Sequence, residues 1–405
     1  MILRVINGLL LQHGEFVRED LWVQDGKVVN PRDLFFATKA QADVVVDAQG
    51  NMIAPGFIDV QLNGCFGVDF SSSHSNDIED GIAKVRRALL KQGVTGFCPT
   101  IITSSPERYH DILPKMKKAD GGDAGAAVLG VHLEGPFINP DKKGAHPKHL
   151  IQPLEAGMAS IETTYGPDLS NVAIVTLAPE LEHAPRVIQD LRKRGIVVSL
   201  GHTHATLEQA ERGMLMGASS ITHLFNAMTA FHHRDPGIIG LLPYGGEGRY
   251  RFFYGLIVDG LHTHDASMRL AYANHPEGCV LITDATQAMG LPPGEHHLGD
   301  MAVVLDHNHR LTLKGTDTLA GSAVSMDVCV RRFSTFAGAA RAVEAASLRP
   351  AQLLNIEERK GHLHYGADAD FVILSHDLHV LCTYIGGKLQ WAASATFPPT
   401  RTTSK

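Results

Sequence analysis

The chain has little of what marks a secreted, membrane-embedded or nucleic-acid-binding protein. Its 405 residues hold only five cysteines (Cys65, Cys98, Cys279, Cys329 and Cys382). They are widely spaced, odd in number and form no CxxC pair, which argues against a disulfide framework and fits a reducing compartment. Basic charge is also scarce. Lys and Arg total 36 against 43 Asp and Glu, a formal net charge of −7, so a broad polyanion-binding face is excluded and no nucleic-acid partner is expected. Any anionic ligand must then be met by a few local cations. No apolar run reaches the roughly 18 residues that a membrane span needs. The opening "MILRVINGLLLQHGEF" lacks a basic segment, a long apolar core and a small-residue cleavage site, so no signal peptide is read and a cytoplasmic location is expected. Internal repeats and low-complexity runs are absent too.

What remains is the composition of an ordinary folded enzyme, 44% apolar and 20% charged with 40 glycines. Residues 1–54 read as short strands, "LRVING", "LWVQDGKVV" and "DVVVDAQG", broken by Gly, Asp and Asn turns. From residue 55 the rhythm changes. Short apolar runs alternate with amphipathic segments such as "DIEDGIAKVRRALLKQG" and "APRVIQDLRKRG", the mark of parallel βαβ units. Eight strand candidates follow in order: "GFIDV", "GFCPT", "VLGVHLE", "VAIVTLAPE", "IVVSLGH", "SSITH", "FYGLIVD" and "CVLITDA". Eight is the number that closes a (β/α)₈ barrel. The rival, an open doubly wound sheet, usually carries a glycine-rich phosphate loop after its first strand, and "DVQLNGCFG" matches neither form of that loop. After residue 300, "MAVVLDHNHRLTL" reads as strands, the next segment as helices, and "GADADFVILSHDLHVLCTYIGGKLQW" as strands again. The expected architecture is an α/β (β/α)₈ barrel over 55–359, beside a small β-sandwich built from 1–54 and 360–405.

Nearly every barrel strand ends on a polar or ionisable group: Asp59 and Gln61, His132 and Glu134, Glu180, His202, His223, Asp259 with His262, and Asp284. In such a barrel all those ends face one mouth, where catalytic residues collect. Buried carboxylates and imidazoles at one place are costly unless a cation compensates them. Glu134, His202 and His223 are the expected ligand set for one divalent ion, with Zn²⁺ the leading candidate and Fe²⁺, Co²⁺ and Mn²⁺ acceptable to the same donors. His132, His204 and the pair His232–His233 are alternatives that spacing does not separate. Asp284 reads either as a helix N-cap or as the acid/base beside the ion, and the second role is preferred.

The motifs "APGFIDVQLNG", "HLEGPF", "KGAH", "GHTHA", "THLFNAM", "HHRDPG", "DGLH", "TDA" and "LAGS" together resemble the amidohydrolase superfamily, and within it the branch that deacetylates N-acetylglucosamine 6-phosphate. They span essentially the whole chain in order. The resemblance implies hydrolysis of the acetamide to glucosamine 6-phosphate and acetate, with Glu134, His202 and His223 holding the metal and Asp284 moving the proton. It implies substrate contacts from Ala145 and His146, Asn226 and Ala227, Arg234, Asp259 and His262, and Leu319, Ala320 and Gly321, and it implies a homodimer in which one phosphate ligand crosses between subunits. Arg234 and His262 suit a sugar phosphate, although Arg234 also reads as a surface partner of Asp235. One departure matters: Gln61 and Asn63 stand where two-metal relatives carry His-x-His. Amides are poor ligands for a borderline-soft ion, so the two are expected to serve water or a neighbouring ligand, and the metal count to be one. Other readings are a cyclic-amide hydrolase, a deaminase, or an inactive barrel acting as a binding protein.

Overall fold

The structure, a computed structural model, describes residues 1–38, 41–72, 77–247 and 251–402; the last three residues of the expected β-domain lie outside the described residues. Eight parallel strands form the barrel. In order around it they are Phe57–Leu62, Val94–Ile102, Val131–Glu134, Val172–Leu177, Val197–Leu200, Ser220–Ile221, Phe253–Ile257 and Cys279–Ile282. The last strand meets the first through the Leu62–Ala285 bridge and the Asp284 N–H donating to Gln61 O at 2.9 Å. All eight sequence candidates are therefore strands, but several end early. Glu180, His202, His223, Asp259 and Asp284 lie just beyond the regular ladder. Side chains that must point into a shared mouth leave the pleat, and the backbone turns with them.

The amphipathic segments pack outside the barrel as helices. Ile78–Ala88 starts at Asp77, whose carboxylate caps the Asp80 N–H, satisfying one orphan donor of the first turn. Ala184–Lys193 buries Ala184, Val187, Ile188 and Leu191. That spacing places one apolar stripe against the strands, each large side chain contributing about 1.5–3 kcal/mol of burial. Ile58, Val60, Ile174, Val197, Val280 and Ile282 share an apolar cluster with Phe253 and Ile257. These alternate strand positions fill the barrel, so the mouth sits on a packed floor.

Strands from both ends of the chain form two further sheets. One orders Thr400–Thr402, Val44–Asp47, Ile2–Ile6, Leu21–Gln24 and Lys27–Val28; the other orders Lys388–Ala392, Val380–Ile385, Phe371–Leu374, Met52–Pro55, Leu9–Gln12 and Glu15–Arg18. Leu3, Val5, Leu10, Ile53, Phe371 and Tyr384 lie in the core they share. A helix, Pro31–Thr38, interrupts the N-terminal strands, where only β-structure was expected. The segment after residue 290 also differs in detail. A three-stranded antiparallel sheet, Gly294–Leu298, Met301–Leu305 and Leu311–Leu313, begins earlier than its sequence suggested, because His296 and His297 occupy strand positions that carry no apolar alternation.

Candidate active site

At the mouth, the ends of strands three, five and six bring three ligand atoms together. Glu134 Oε1 lies 3.2 Å from His202 Nε2 and 2.9 Å from His223 Nε2, and the two imidazole nitrogens are 3.0 Å apart. All three residues are buried. A proton on His223 Nε2 or a cation between the three atoms relieves this crowding of lone pairs. A tetrahedral ion with bonds of 2.0–2.1 Å would hold its ligands about 3.3 Å apart, close to this spacing. His202 Nδ1 donates to Lys142 O at 2.8 Å, which fixes the tautomer that leaves Nε2 free for an ion. Burial works against the Glu134 carboxylate, yet hydrogen bonds and charge from His202 and His223 hold its pKa well below the usual range. His223 is correspondingly held above its ordinary value: burial opposes its charge and Glu134 outweighs burial.

His146 is a fourth imidazole in reach, since Glu134, His146 and His202 each offer a ligand atom within 4.8 Å of the others. Its hydrogen bonds assign it a different role. The Thr103 N–H points at His146 Nδ1 (3.3 Å) and the Thr103 hydroxyl lies 2.7 Å from the same nitrogen, so Nδ1 accepts and the proton sits on Nε2. Burial pushes the His146 pKa down to about 3, with His202 adding to the effect. A neutral ring of this tautomer is a hydrogen-bond donor, whereas His202, with its proton on Nδ1, presents a bare Nε2, and His223 Nδ1 is buried without a partner. His132, the other histidine of strand three, is also spoken for. Its Nδ1 lies 3.0 Å from Val60 O and its Nε2 2.8 Å from the Thr176 hydroxyl, and burial lowers its pKa to about 4. It belongs to the barrel floor.

Gln61 and Asn63 tie the fourth functional group into this cluster. Gln61 Nε2 donates to Glu134 Oε1 at 3.0 Å and approaches Asp284 Oδ1 at 3.4 Å, while Asn63 Nδ2 donates to that same Oδ1 at 2.7 Å. Both contacts spare Asp284 Oδ2. Burial and the nearby Glu134 charge push the Asp284 pKa up to about 7, an environment suited to an acid/base group. The backbone is strained at the same places. His202, His223 and Asp284 have φ of 50°, 28° and 48°, values that cost non-glycine residues about 1–3 kcal/mol and cluster at functional sites.

These groups open into one cavity of about 160 Å³. Asn63, Glu134, Ala145, His146, His202, His223 and Asp284 line it; from the other expected residues so do Asn226, Ala227, His262, Leu319 and Gly321. Gln61 sits behind Glu134. Asp259 lies beneath His262, holding Nδ1 at 2.6 Å and accepting the Leu261 and His262 N–H groups, and so orients the ring toward the cavity. Ala320 packs behind the wall with Leu298 and Ala145. Arg234 does not line the cavity. It is exposed, its guanidinium 3.3 Å from His233 Nε2. The alternative pairing with Asp235 is not made; Asp235 Oδ1 instead accepts the Leu207 and Gly237 N–H groups.

Four lining residues escaped the sequence reading: Ile102, Gly144, Ile257 and Leu298. Ile102 stands opposite Glu134 in the strand register, two residues beyond the "GFCPT" expected for strand two, which runs on to Ile102. Leu298 comes from the three-stranded sheet, which no local signal connects to the mouth.

A profile of the amidohydrolase family matches residues 52–390. An N-acetylglucosamine-6-phosphate deacetylase of Danio rerio is 51% identical over 395 residues, covering 96% of this chain and 97% of its own. The Homo sapiens protein of the same name is 51% identical over 398 residues, covering 97% of each. Among solved structures, an N-acetylglucosamine-6-phosphate deacetylase from Pasteurella multocida is 28% identical with a TM-score of 0.83, covering 97% of this chain and 100% of its own.

Proposed function

This chain belongs to the amidohydrolase family, and on that premise we propose that it hydrolyses the acetamide of N-acetylglucosamine 6-phosphate, releasing acetate and glucosamine 6-phosphate. The observation that carries the chemistry is the convergence of Glu134 Oε1, His202 Nε2 and His223 Nε2 within 3.2 Å of one another, beside Asp284. Those three residues would hold one divalent ion, zinc by preference. When bound, such an ion polarises the amide carbonyl and lowers the pKa of water. Asp284 Oδ2 takes the proton from the attacking water and passes it to the departing amine, which must leave protonated. The Nε2–H of His146, fixed by Thr103, is a donor for a substrate oxygen. Gln61 and Asn63 keep the Asp284 carboxylate aimed and supply no imidazole for a second ion, so the reading is a one-metal enzyme.

For the phosphate, the cavity offers His262, steadied by Asp259. Arg234 stands outside its own cavity, which favours its serving the site of a second copy in a homodimer. The exposed Phe231 and Leu261, 62% and 41% accessible, flank Arg234 and His262 in sequence and would be covered in such a pair. Enzyme of this kind is expected to release acetate from the 6-phosphorylated sugar far faster than from N-acetylglucosamine. Arg234→Ala should raise KM for the phosphorylated substrate and erode that preference; an unchanged preference would remove the phosphate assignment. Mixing Arg234→Ala with Asp284→Asn subunits should restore wild-type KM in about a quarter of the sites, as random pairing requires when one ligand crosses a two-fold interface. No restoration on mixing would contradict the shared site.

A further inference from the structure

Asp59 is a buried carboxylate that the chemistry above leaves unused. It lies on the first barrel strand, 1% exposed, and receives three hydrogen bonds. The Thr283 hydroxyl donates to Oδ2 at 2.5 Å, while the Thr283 and Gln61 N–H groups reach Oδ1 at 3.3 Å each. Thr283 is 224 residues away in sequence and immediately precedes Asp284. The seam between the last strand and the first has no registered ladder of the kind that joins the other neighbouring strands: it is closed by the isolated Leu62–Ala285 bridge, with the Asp284 N–H on Gln61 O and the Asn63 N–H on Ala285 O. Asp59 fastens that seam from the side of strand one.

The other side of Thr283 and Asp284 is fastened as well. The Ser322 hydroxyl donates to Thr283 O at 2.6 Å, and the Ser322 N–H donates to Asp284 O at 2.9 Å. Asp284 itself has φ of 48°, and such a residue keeps its conformation only when its surroundings over-determine it. Gly321, with φ of 65°, lets the LAGS segment approach: a Cβ there would stand 2.9 Å from Asp284 O. The strained residue is thus held between two staples, one of them Asp59.

We propose that Asp59, acting through Thr283, is a positioning residue that sets where the Asp284 carboxylate sits relative to Glu134 and the substrate. The inference rests on the reading of Asp284 as the proton-transfer group. Asp59 touches neither the cavity nor a ligand atom. It turns the hydroxyl and N–H of Thr283 into a fixed post, and the next residue is the one whose aim decides the rate.

The test compares Thr283→Val, which keeps the shape and loses the hydroxyl, with Thr283→Ser, which keeps the hydroxyl, and with Asp59→Asn. Each is measured for kcat and KM on N-acetylglucosamine 6-phosphate, for metal per chain, and for amide hydrogen exchange over residues 283–286. Misplacing a reacting group by about 1 Å can cost about 100-fold. Thr283→Val and Asp59→Asn should each lose about 10-fold or more in kcat per metal-loaded site, with KM within about threefold of wild type and faster exchange at 283–286, and Thr283→Ser should recover most of the rate. The proposal is overturned if Thr283→Val and Asp59→Asn keep wild-type kcat, or if Thr283→Ser falls as far as Thr283→Val. Asp284→Asn is run alongside. Should it retain turnover, the reading of Asp284 fails; should it lose turnover while Thr283→Val does not, only the positioning role fails.

Discussion

Replacing Asp284 with asparagine should remove at least two to four orders of magnitude from kcat, the range that a lost general acid/base commands, while metal content and KM stay near wild type. The side chains are nearly the same size, and Asn63 Nδ2, 2.7 Å from Oδ1, keeps a partner if the amide oxygen faces it. What disappears is the ability to accept a proton and return it. Hydrolysis of an amide needs both movements, because water must lose a proton to attack and the amine must gain one to leave. His146 cannot substitute, since its accessible nitrogen already carries the proton and its pKa is depressed to about 3 by burial. A nearly normal kcat would eliminate Asp284 as the proton carrier.

Glu134→Gln is the second large effect, and its signature is different. Glu134 Oε1 is met by three nitrogens, from Gln61, His202 and His223, within 3.2 Å. Glutamine preserves the oxygen but removes the negative charge on which an ion between two neutral imidazoles depends. Losing a mere supporting contact to a ligand costs about 10–100-fold in metal affinity, so loss of the anionic ligand itself should cost more. The expected outcome is protein purified with little metal and little activity, partly restored by excess ion, in contrast to Asp284→Asn, which keeps its ion and stays inactive. Full metal occupancy in Glu134→Gln would remove Glu134 from the ligand set.

Much of this was legible in the sequence because a barrel writes its mouth at regular intervals. Apolar runs of strand length ending in Glu134, His202, His223 and Asp284 mark both the strands and the site, and amphipathic segments such as 184–193 name the outer helices. Less legible were contacts that local pattern does not encode. The tautomer of His146 follows from Thr103, 43 residues earlier in the chain; the resemblance implied a substrate contact there, but no local pattern connects the two residues. Leu298 reaches the cavity from a sheet whose strands alternate poorly, and the helix Pro31–Thr38 lay among turn-like residues. Asp59 was visible from the start as an acid on a buried strand, but its use depends on Thr283 across the seam that closes the barrel. The strand ends also proved shorter than the apolar runs implied, because His202, His223 and Asp284 adopt φ values that no regular strand permits.

The most direct test of a single Glu/His/His metal site is a metal titration of chelator-stripped protein, read as acetate released from N-acetylglucosamine 6-phosphate. Stripped protein should be inactive, and activity should return with zinc or a similar ion, saturating at one tightly bound equivalent per chain. Full turnover in the stripped protein, or a requirement for two tight equivalents, would contradict it.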